Sequence, residues 1–409
     1  MATSLYLPAT ADEWIAGRAR ELDWRLKRFA HRLTKGKIEG VTLVGGKLSI
    51  TPVRADEPKA ASALAEKISA LMPRVRITEL LHEVARDTKF TAAFTNLRTQ
   101  ECHDNENALL AAILADGSNL GLARMAEASQ GVTVDQLTWT KSAYIREDTY
   151  RGALAQIINA HHALPIATVW GQGTTSSSDG QFFRSGKRGA GAGDFNARYG
   201  VDPGFSCYTH VSGILKPLMG KRIKVEVIRE HWDEIVRLVA SLKAGTVLPS
   251  TMLRKLAACE RQNQLDLALQ EVGRVERTLF MLDWLESPAL RRRCQAGLNK
   301  SEQRHQLTGA ICAFKQGRIA DRTHQAQQFR ASGLNLIIAA IVYWNSTYIA
   351  DAVAHLRDAG EDVSGELLMH TSPVGWSHIA FSGDFLWERA AATLVDRREL
   401  NYAPLRIAA

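Results

Sequence analysis

Residues 333–344, GLNLIIAAIVYW, constrain this chain more than any other stretch, because eleven of the twelve are apolar or glycine. A helix that is apolar on all sides has no face to give to water, so it must lie in a core enclosed by other elements. Asn335 interrupts the run, which is also shorter than the roughly 20 residues needed to cross a bilayer. An amide enclosed there is expected to hydrogen-bond internally, since an unpaired buried one costs on the order of 1–3 kcal/mol. The chain has material for the enclosure: 409 residues, 45% apolar and 23% charged, ordinary globular values.

Most of the remaining periodicity is helical as well. Ile15, Leu22, Leu26, Phe29 and Leu33 recur at helical spacing over residues 11–33. Leu80, Leu81 and Val84 form another apolar group, Leu109, Leu110 and Ile113 a third, and Leu120, Leu122 and Met125 a fourth. Ser118 and Asn119 read as cap residues before that last group. Strand signals are fewer. VTLVGGKLSITPV (41–53) predicts a hairpin turning at Gly45 and Gly46. Ile166 to Trp170 reads as an apolar strand and FSCYTHVS (205–212) as another. FRSGKRGAGAGDFNARYG (183–200) is glycine-rich and basic and reads as a loop. From Glu230 onward the pattern is helical almost throughout. The expected fold class is an α-rich α/β protein.

Lys and Arg number 51 against 43 Asp and Glu, a net charge of +8. That balance favours polyanionic partners, nucleic acid first, with a solubilising surface charge as the alternative. The five cysteines, Cys102, Cys207, Cys259, Cys294 and Cys312, are far apart with no CxxC. They fit reduced thiols and exclude a paired-cysteine zinc ribbon or a disulfide scaffold. The opening MATSLYLPATADEWIAG lacks the basic-then-apolar order of a secretory signal, so a cytoplasmic protein with no membrane partner is expected. Generic catalytic motifs fail. GGKL (45–48) lacks the earlier glycine and the following Ser/Thr of a phosphate-cradling loop. HEVAR (82–86) carries Arg86 where a zinc helix needs its second histidine. His161 and His162 are adjacent, so on a helix they point about 100° apart and do not readily share one ion.

Two carboxylates stand out. Asp179, in TTSSSDGQFF, precedes Phe182 and Phe183 and follows the apolar run at 166–170. A carboxylate displayed from a sheet is how two-metal phosphoryl-transfer enzymes present a Mg²⁺ ligand, while a turn or cap residue is the plainer reading. Glu271, three residues before Arg274, shares a helix face with Val275, Thr278 and Leu282. It is either a ligand heading an apolar stripe or a solvated residue at the edge of a core helix.

The chain resembles the catalytic portion of the Tn-three family of replicative transposases. The resemblance is carried by TTSSSDGQFF, ARYG (197–200), YTHVS, LQEVGRVERTLFMLDWL (269–285), AGLNKSEQRHQL (296–307), RASGLNLIIAAIVYWN (330–345) and SPVGWSHIAFSGDFLW (372–387). PRVRITELLHEV (73–84) and LLAAILADGSNLGLARMAEAS (109–129) fit upstream, in the family's order. The family's N-terminal regions, which recognise transposon ends, are expected to lie outside this sequence. The resemblance implies an RNase H-like catalytic domain with an Asp-Asp-Glu triad holding two Mg²⁺, which Mn²⁺ can replace. It implies DNA as partner, both transposon ends and target: water nicks the element's 3′ ends, and the freed 3′-OH attacks target DNA. It also implies a homodimer when active and a bacterial, nucleoid-associated location. By motif match Asp179 is the first acid and Glu271 the last, chosen over Glu276 because the family's glutamate stands immediately before an x-Gly-Arg step.

The expected organisation is a mostly helical linker region at 1–160, an RNase H-like core with an incomplete sheet at 161–290, and a C-terminal helical region at 291–409. The core is shortened between 212 and 215. YTHVS runs through Gly213 and Ile214 straight into LKPLMGKRIK, where the family has further strands and its second aspartate. Asp179 and Glu271 are only 92 positions apart, and neither Asp202 nor Asp233 between them has the expected surroundings. The expected function is therefore a transposase with defective catalysis, or alternatively a non-catalytic DNA-binding remnant of one. Arg184, Lys187, Arg188 and Arg198 are expected to form a DNA-facing basic surface beside Asp179, against the plainer reading of a solvated basic loop.

Overall fold

The computed structural model describes residues 7–51, 58–171, 179–184, 204–209, 223–244, 246, 264–314, 319 and 323–402. Contacts divide the chain into two units, each made of two separate stretches: Met1–Ala55 with Ile214–Ala296, and Asp56–Gly213 with Gly297–Ala409.

In the first unit, helix Ala11–Thr34 packs on helix Gln264–Glu286. Thr10 starts the former by accepting the Glu13 N–H at 3.3 Å, with acids in the first turn and His31 and Arg32 in the last, as the helix dipole favours. Trp14 meets Trp232 with ring centroids 5.6 Å apart, among Ile228, Ile235 and Ala268. On the partner helix the buried positions are Ala268, Glu271, Leu279, Leu282 and Glu286. Thr278, expected on that stripe, is exposed. At about 100° per residue the stripe is centred near Val275 and Leu279, leaving Thr278 just past one edge. Arg28 and Arg32 reach Glu286 at 2.6 and 3.1 Å, and Arg18 takes Glu276 at 2.6 Å. The expected hairpin is present. Val41–Val44 and Lys47–Ile50 pair antiparallel from Val41↔Ile50 to Val44↔Lys47, turning at Gly45 and Gly46, whose φ values of +55° and +77° suit glycine.

The second unit is built around helix His324–Asp358, 35 residues long, started by the Thr323 hydroxyl on the Ala326 N–H. Helices Ile77–Thr88, Glu106–Gly117 and Glu147–His162 enclose it. Leu336, Ile337, Ala340, Ile341 and Trp344 are all buried, as the apolar run requires. Asn335 departs from the expectation of an enclosed amide. It sits on the exposed side, where its Oδ1 accepts from Arg304 at 2.7 Å. By length and composition alone residues 325–358 reach the threshold for a membrane span, and 78% of their most apolar window is buried inside the fold.

Two further expectations are corrected. Ile166 to Trp170 is not a strand: Ala167–Trp170 is a helical turn, with Thr168 and Val169 N–H groups donating to Pro165 and Ile166 carbonyls. Pro165 pre-sets a helical φ, and Ile166, Val169 and Trp170 pack on the core at the 3–4 spacing of a helix rather than the alternation of a strand. Ser118 and Asn119 end a helix rather than begin one. Ser118 caps the C-terminus of Glu106–Gly117, its Oγ donating to the Leu114 carbonyl at 2.6 Å, and Asn119 turns the chain with φ +64°. The sheets among the described residues are all two-stranded. Val75–Arg76 pairs in parallel with Ile379–Ala380, Ser129–Gln130 in parallel with Phe385–Leu386, and Asp179–Arg184 antiparallel with Gly204–Thr209. The protein is thus helix-rich with small sheets.

Candidate catalytic acids

Asp179 is the first residue of its strand, opposite Thr209, and the ladder runs without a bulge to Arg184 opposite Gly204. This strand belongs to the second unit. Lys187, Arg188, Arg198 and Asp202 lie outside the described residues, as do residues 210–222, where the shortening falls. Asp233 stands exposed in the first turn of helix Trp232–Lys243, the position where the helix dipole welcomes an acid.

Glu271 belongs to the first unit. It is 5% exposed, on the buried side of helix Gln264–Glu286. Its Oε1 accepts from Arg274 at 2.6 Å, one helical turn on, and its Oε2 accepts the Lys224 backbone N–H at 3.3 Å. Helix geometry makes i and i+3 neighbours, so the Glu-x-x-Arg spacing produces this pair directly. Burial enforces it, because an ionised carboxylate away from water needs a charged or hydrogen-bonding partner. Neither unit by itself contains both Asp179 and Glu271. Among the described residues no group of three or more His, Cys, Asp or Glu side chains is arranged to hold a metal ion. Of the pair, the Glu271 carboxylate has both oxygens engaged by nitrogen donors, so it would have to release Arg274 or the Lys224 N–H to hold a metal ion.

The sequence offered no sign that Glu83 is buried, at 2% exposed. Its Oε2 accepts the Trp344 indole N–H at 2.6 Å and the Tyr348 hydroxyl at 3.1 Å, while Oε1 accepts from Arg398 at 2.5 Å. Burial, ahead of the neighbouring carboxylate, pushes the Tyr348 phenol up to about 12. Glu83 lies within HEVAR, and the rest of that motif is structural too. Arg86 donates to the carbonyls of Val395 and Asp396, which pins the C-terminal segment to the helix. His161 holds Ser346 Oγ at 2.9 Å, and burial lowers its pKa.

The domain model described as the Tn3 transposase DDE domain matches residues 79–215 and 213–385. The chain is 38% identical to the transposase for transposon Tn501 of Pseudomonas aeruginosa over 486 aligned positions, 99% of this chain and 49% of that protein. It is 39% identical to the transposase for transposon Tn21 of Escherichia coli, over 84% of this chain and 43% of that protein. The transposase for transposon Tn1546 of Enterococcus faecium is 32% identical over 94% of this chain and 47% of its own length. The chain spans about half the length of the curated relatives it matches. Its 409 residues fall 77 short of the 486 positions aligned with the Tn501 protein, so at least that many positions have no counterpart here. The two pieces of the domain match meet at residues 213–215.

Proposed function

The chain belongs to the Tn3 transposase family, and from that premise we propose that it carries the catalytic region of a DNA transposase whose cleavage and strand-transfer chemistry is impaired. The reading rests above all on the domain match in two pieces that meet at residues 213–215. The ordered match supports the family's chemistry, and the break supports a missing central segment. In this reading residues 161–290 form a shortened RNase H-like core, Asp179 is the first acid, Glu271 the last, and the second acid falls in the missing piece. The DDE domain usually implies a divalent metal. Mg²⁺ is the ion this reading calls for, with Mn²⁺ as its substitute. Mg²⁺ demands near-ideal octahedral oxygen ligation, so two carboxylates where three belong leave it poorly held. DNA is the partner, through transposon ends and target, and the active state is a homodimer in the bacterial cytoplasm. Arg184, Lys187, Arg188 and Arg198 supply a basic surface beside Asp179, where each phosphate contact adds to the salt dependence of binding.

The shortfall of 77 aligned positions favours a second reading, a remnant that binds DNA and does not cut it. A nicking assay on DNA carrying the cognate ends, in Mg²⁺ or Mn²⁺, separates the two, with Asp179→Ala and Glu271→Ala as controls. Weak cleavage lost in both variants fits the impaired enzyme, and salt-sensitive binding without cleavage fits the remnant. Robust cleavage abolished by both substitutions overturns the defect and calls for a third acid, for which Asp202 and Asp233 are the first to mutate.

A further inference from the structure

We infer that a cleft in the second unit, where helix Ile77–Thr88 begins, is a phosphate-binding site whose natural occupant is a phosphodiester of the DNA backbone. Two segments just over 300 residues apart in sequence build it. Strand Val75–Arg76 pairs in parallel with Ile379–Ala380, and the helix starts immediately after the first of these while a turn at 381–384 follows the second. The space between has a volume of about 280 Å³ and is lined by Arg76, Thr78, Ser382, Gly383 and Asp384, among others.

Three features point to an anion. The twelve-residue helix has Arg76 at its N-cap position and no side chain capping its first turn, so its leading N–H groups and dipole face the cleft uncompensated. The acid of that first turn, Glu79, is engaged elsewhere, by Arg398 at 3.0 Å. Independently of the helix, Thr78 is only 2% exposed yet lines the cleft, and its hydroxyl has no hydrogen-bond partner among the described residues. The hydroxyl is not one of the fully buried atoms that lack a partner, so it opens on the cleft, and an oxygen-rich ligand there takes its hydrogen bond. Arg76 adds a guanidinium, the group best matched to phosphate geometry. At Gly383, φ is +116°, so the turn needs glycine, and no side chain stands between its backbone and the ligand. Asp384 is the one opposing charge, exposed on the cleft wall. It weakens anion binding, which makes its removal diagnostic.

Choosing DNA as the source rests on the proposed function; the phosphate chemistry does not. The test uses the whole chain in two arms. In the first, thermal unfolding is followed with inorganic phosphate, against chloride at equal ionic strength. Phosphate should raise the wild-type Tm. Thr78→Val and Arg76→Ala should lose most of the rise, Thr78→Ser should keep it, and Asp384→Asn should enlarge it. In the second arm, binding to a duplex of about 20 base pairs is titrated across salt. Arg76→Ala should weaken it roughly tenfold and lower the salt slope by about one, the share of a single phosphate contact. A phosphate effect that all variants share overturns the site. Variant-sensitive phosphate binding with unchanged DNA affinity overturns DNA as the source. A wild type that binds phosphate at this cleft but no DNA overturns the proposed function and leaves the site standing.

Discussion

Trp344 donates its indole N–H to Glu83 Oε2 at 2.6 Å, joining residues 261 positions apart in the chain. With Tyr348 on the same oxygen and Arg398 on the other, a carboxylate at the centre of the second unit is fully satisfied. Removing one member of a buried charged set leaves the rest uncompensated, which costs more than the set contributes over an apolar replacement. Arg398→Ala should therefore lower the unfolding free energy by about 3 kcal/mol. Urea denaturation checks this, and a loss within error of zero would show that water replaces the guanidinium.

His378 gives the second unit an acid-sensitive point. Asn345 donates its amide to the carbonyls of Pro373 and Gly375, both at 2.7 Å, so its Oδ1 faces His378 Nε2 at 2.9 Å. The imidazole is thus neutral with its proton on Nε2, and burial holds its pKa down to about 4. The unfolded chain takes up that proton near pH 6.5 and the folded one resists it. The stability is present above pH 6.5 and lost as pH falls from there towards 4, a loss on the order of 3 kcal/mol. Burial shifts His103 and His161 in the same direction. Urea midpoints between pH 7 and pH 4 should fall for the wild type and flatten in His378→Gln; equal slopes would remove His378 from the account.

Signals that act locally were legible in the sequence. Gly45 and Gly46 announce their hairpin because two positive φ values in succession leave few other residues usable. The run at 333–344 announces a core helix because no other surrounding suits it, although a count of apolar residues could not say that Asn335 faces outward to Arg304. Ile166 to Trp170 misled because four apolar residues in a run of five fit either period and only Pro165 hinted at a helix. What sequence periodicity cannot carry is pairing at a distance. Arg398 lies 315 residues from Glu83, and Trp14 meets Trp232 from the other end of its unit. The cleft at Arg76 and Thr78 was hidden for the same reason: each half lies inside a motif, and the cleft exists only where the halves meet. Asp179 and Glu271 were reached through resemblance, their local surroundings being equally consistent with plainer roles.

The crossing of helices Glu106–Gly117 and His324–Asp358 depends on two glycines. A Cβ at Gly117 would collide with Ile337 Cδ1 and stand 3.0 Å from the Gly333 carbonyl, and one at Gly333 would stand 3.1 Å from both the Gly117 nitrogen and the Tyr150 hydroxyl. Backbone cannot give way as a flexible side chain can. Gly117→Ala should destabilise by about 1–3 kcal/mol, the usual cost of overpacking, despite the better helix propensity of alanine. Amide exchange across Ile337 to Val342, slow in the wild type, should quicken in step. A variant as stable as the wild type would mean that the two helices can slide apart at no cost.

Glu271 and Arg274 allow a prediction that does not depend on catalysis. The carboxylate is buried while the Arg274 side chain stays 20% exposed, so the pair is a partly solvated partner serving a desolvated charge. Taking away Arg274 strands the carboxylate, whereas Glu271→Gln removes the charge and keeps one oxygen, which serves one of the two donors, Arg274 or the Lys224 N–H. Arg274→Ala should thus cost about 1–3 kcal/mol and Glu271→Gln less than half as much. Combining the two should cost less than the sum of the single changes, because the second no longer leaves a charge behind. Fluorescence of Trp14 and Trp232 during urea unfolding reports on the unit that holds the pair. Strict additivity would sink the idea. It would mean that Glu271 already draws its solvation from elsewhere and that Arg274 is free to leave it for a phosphate.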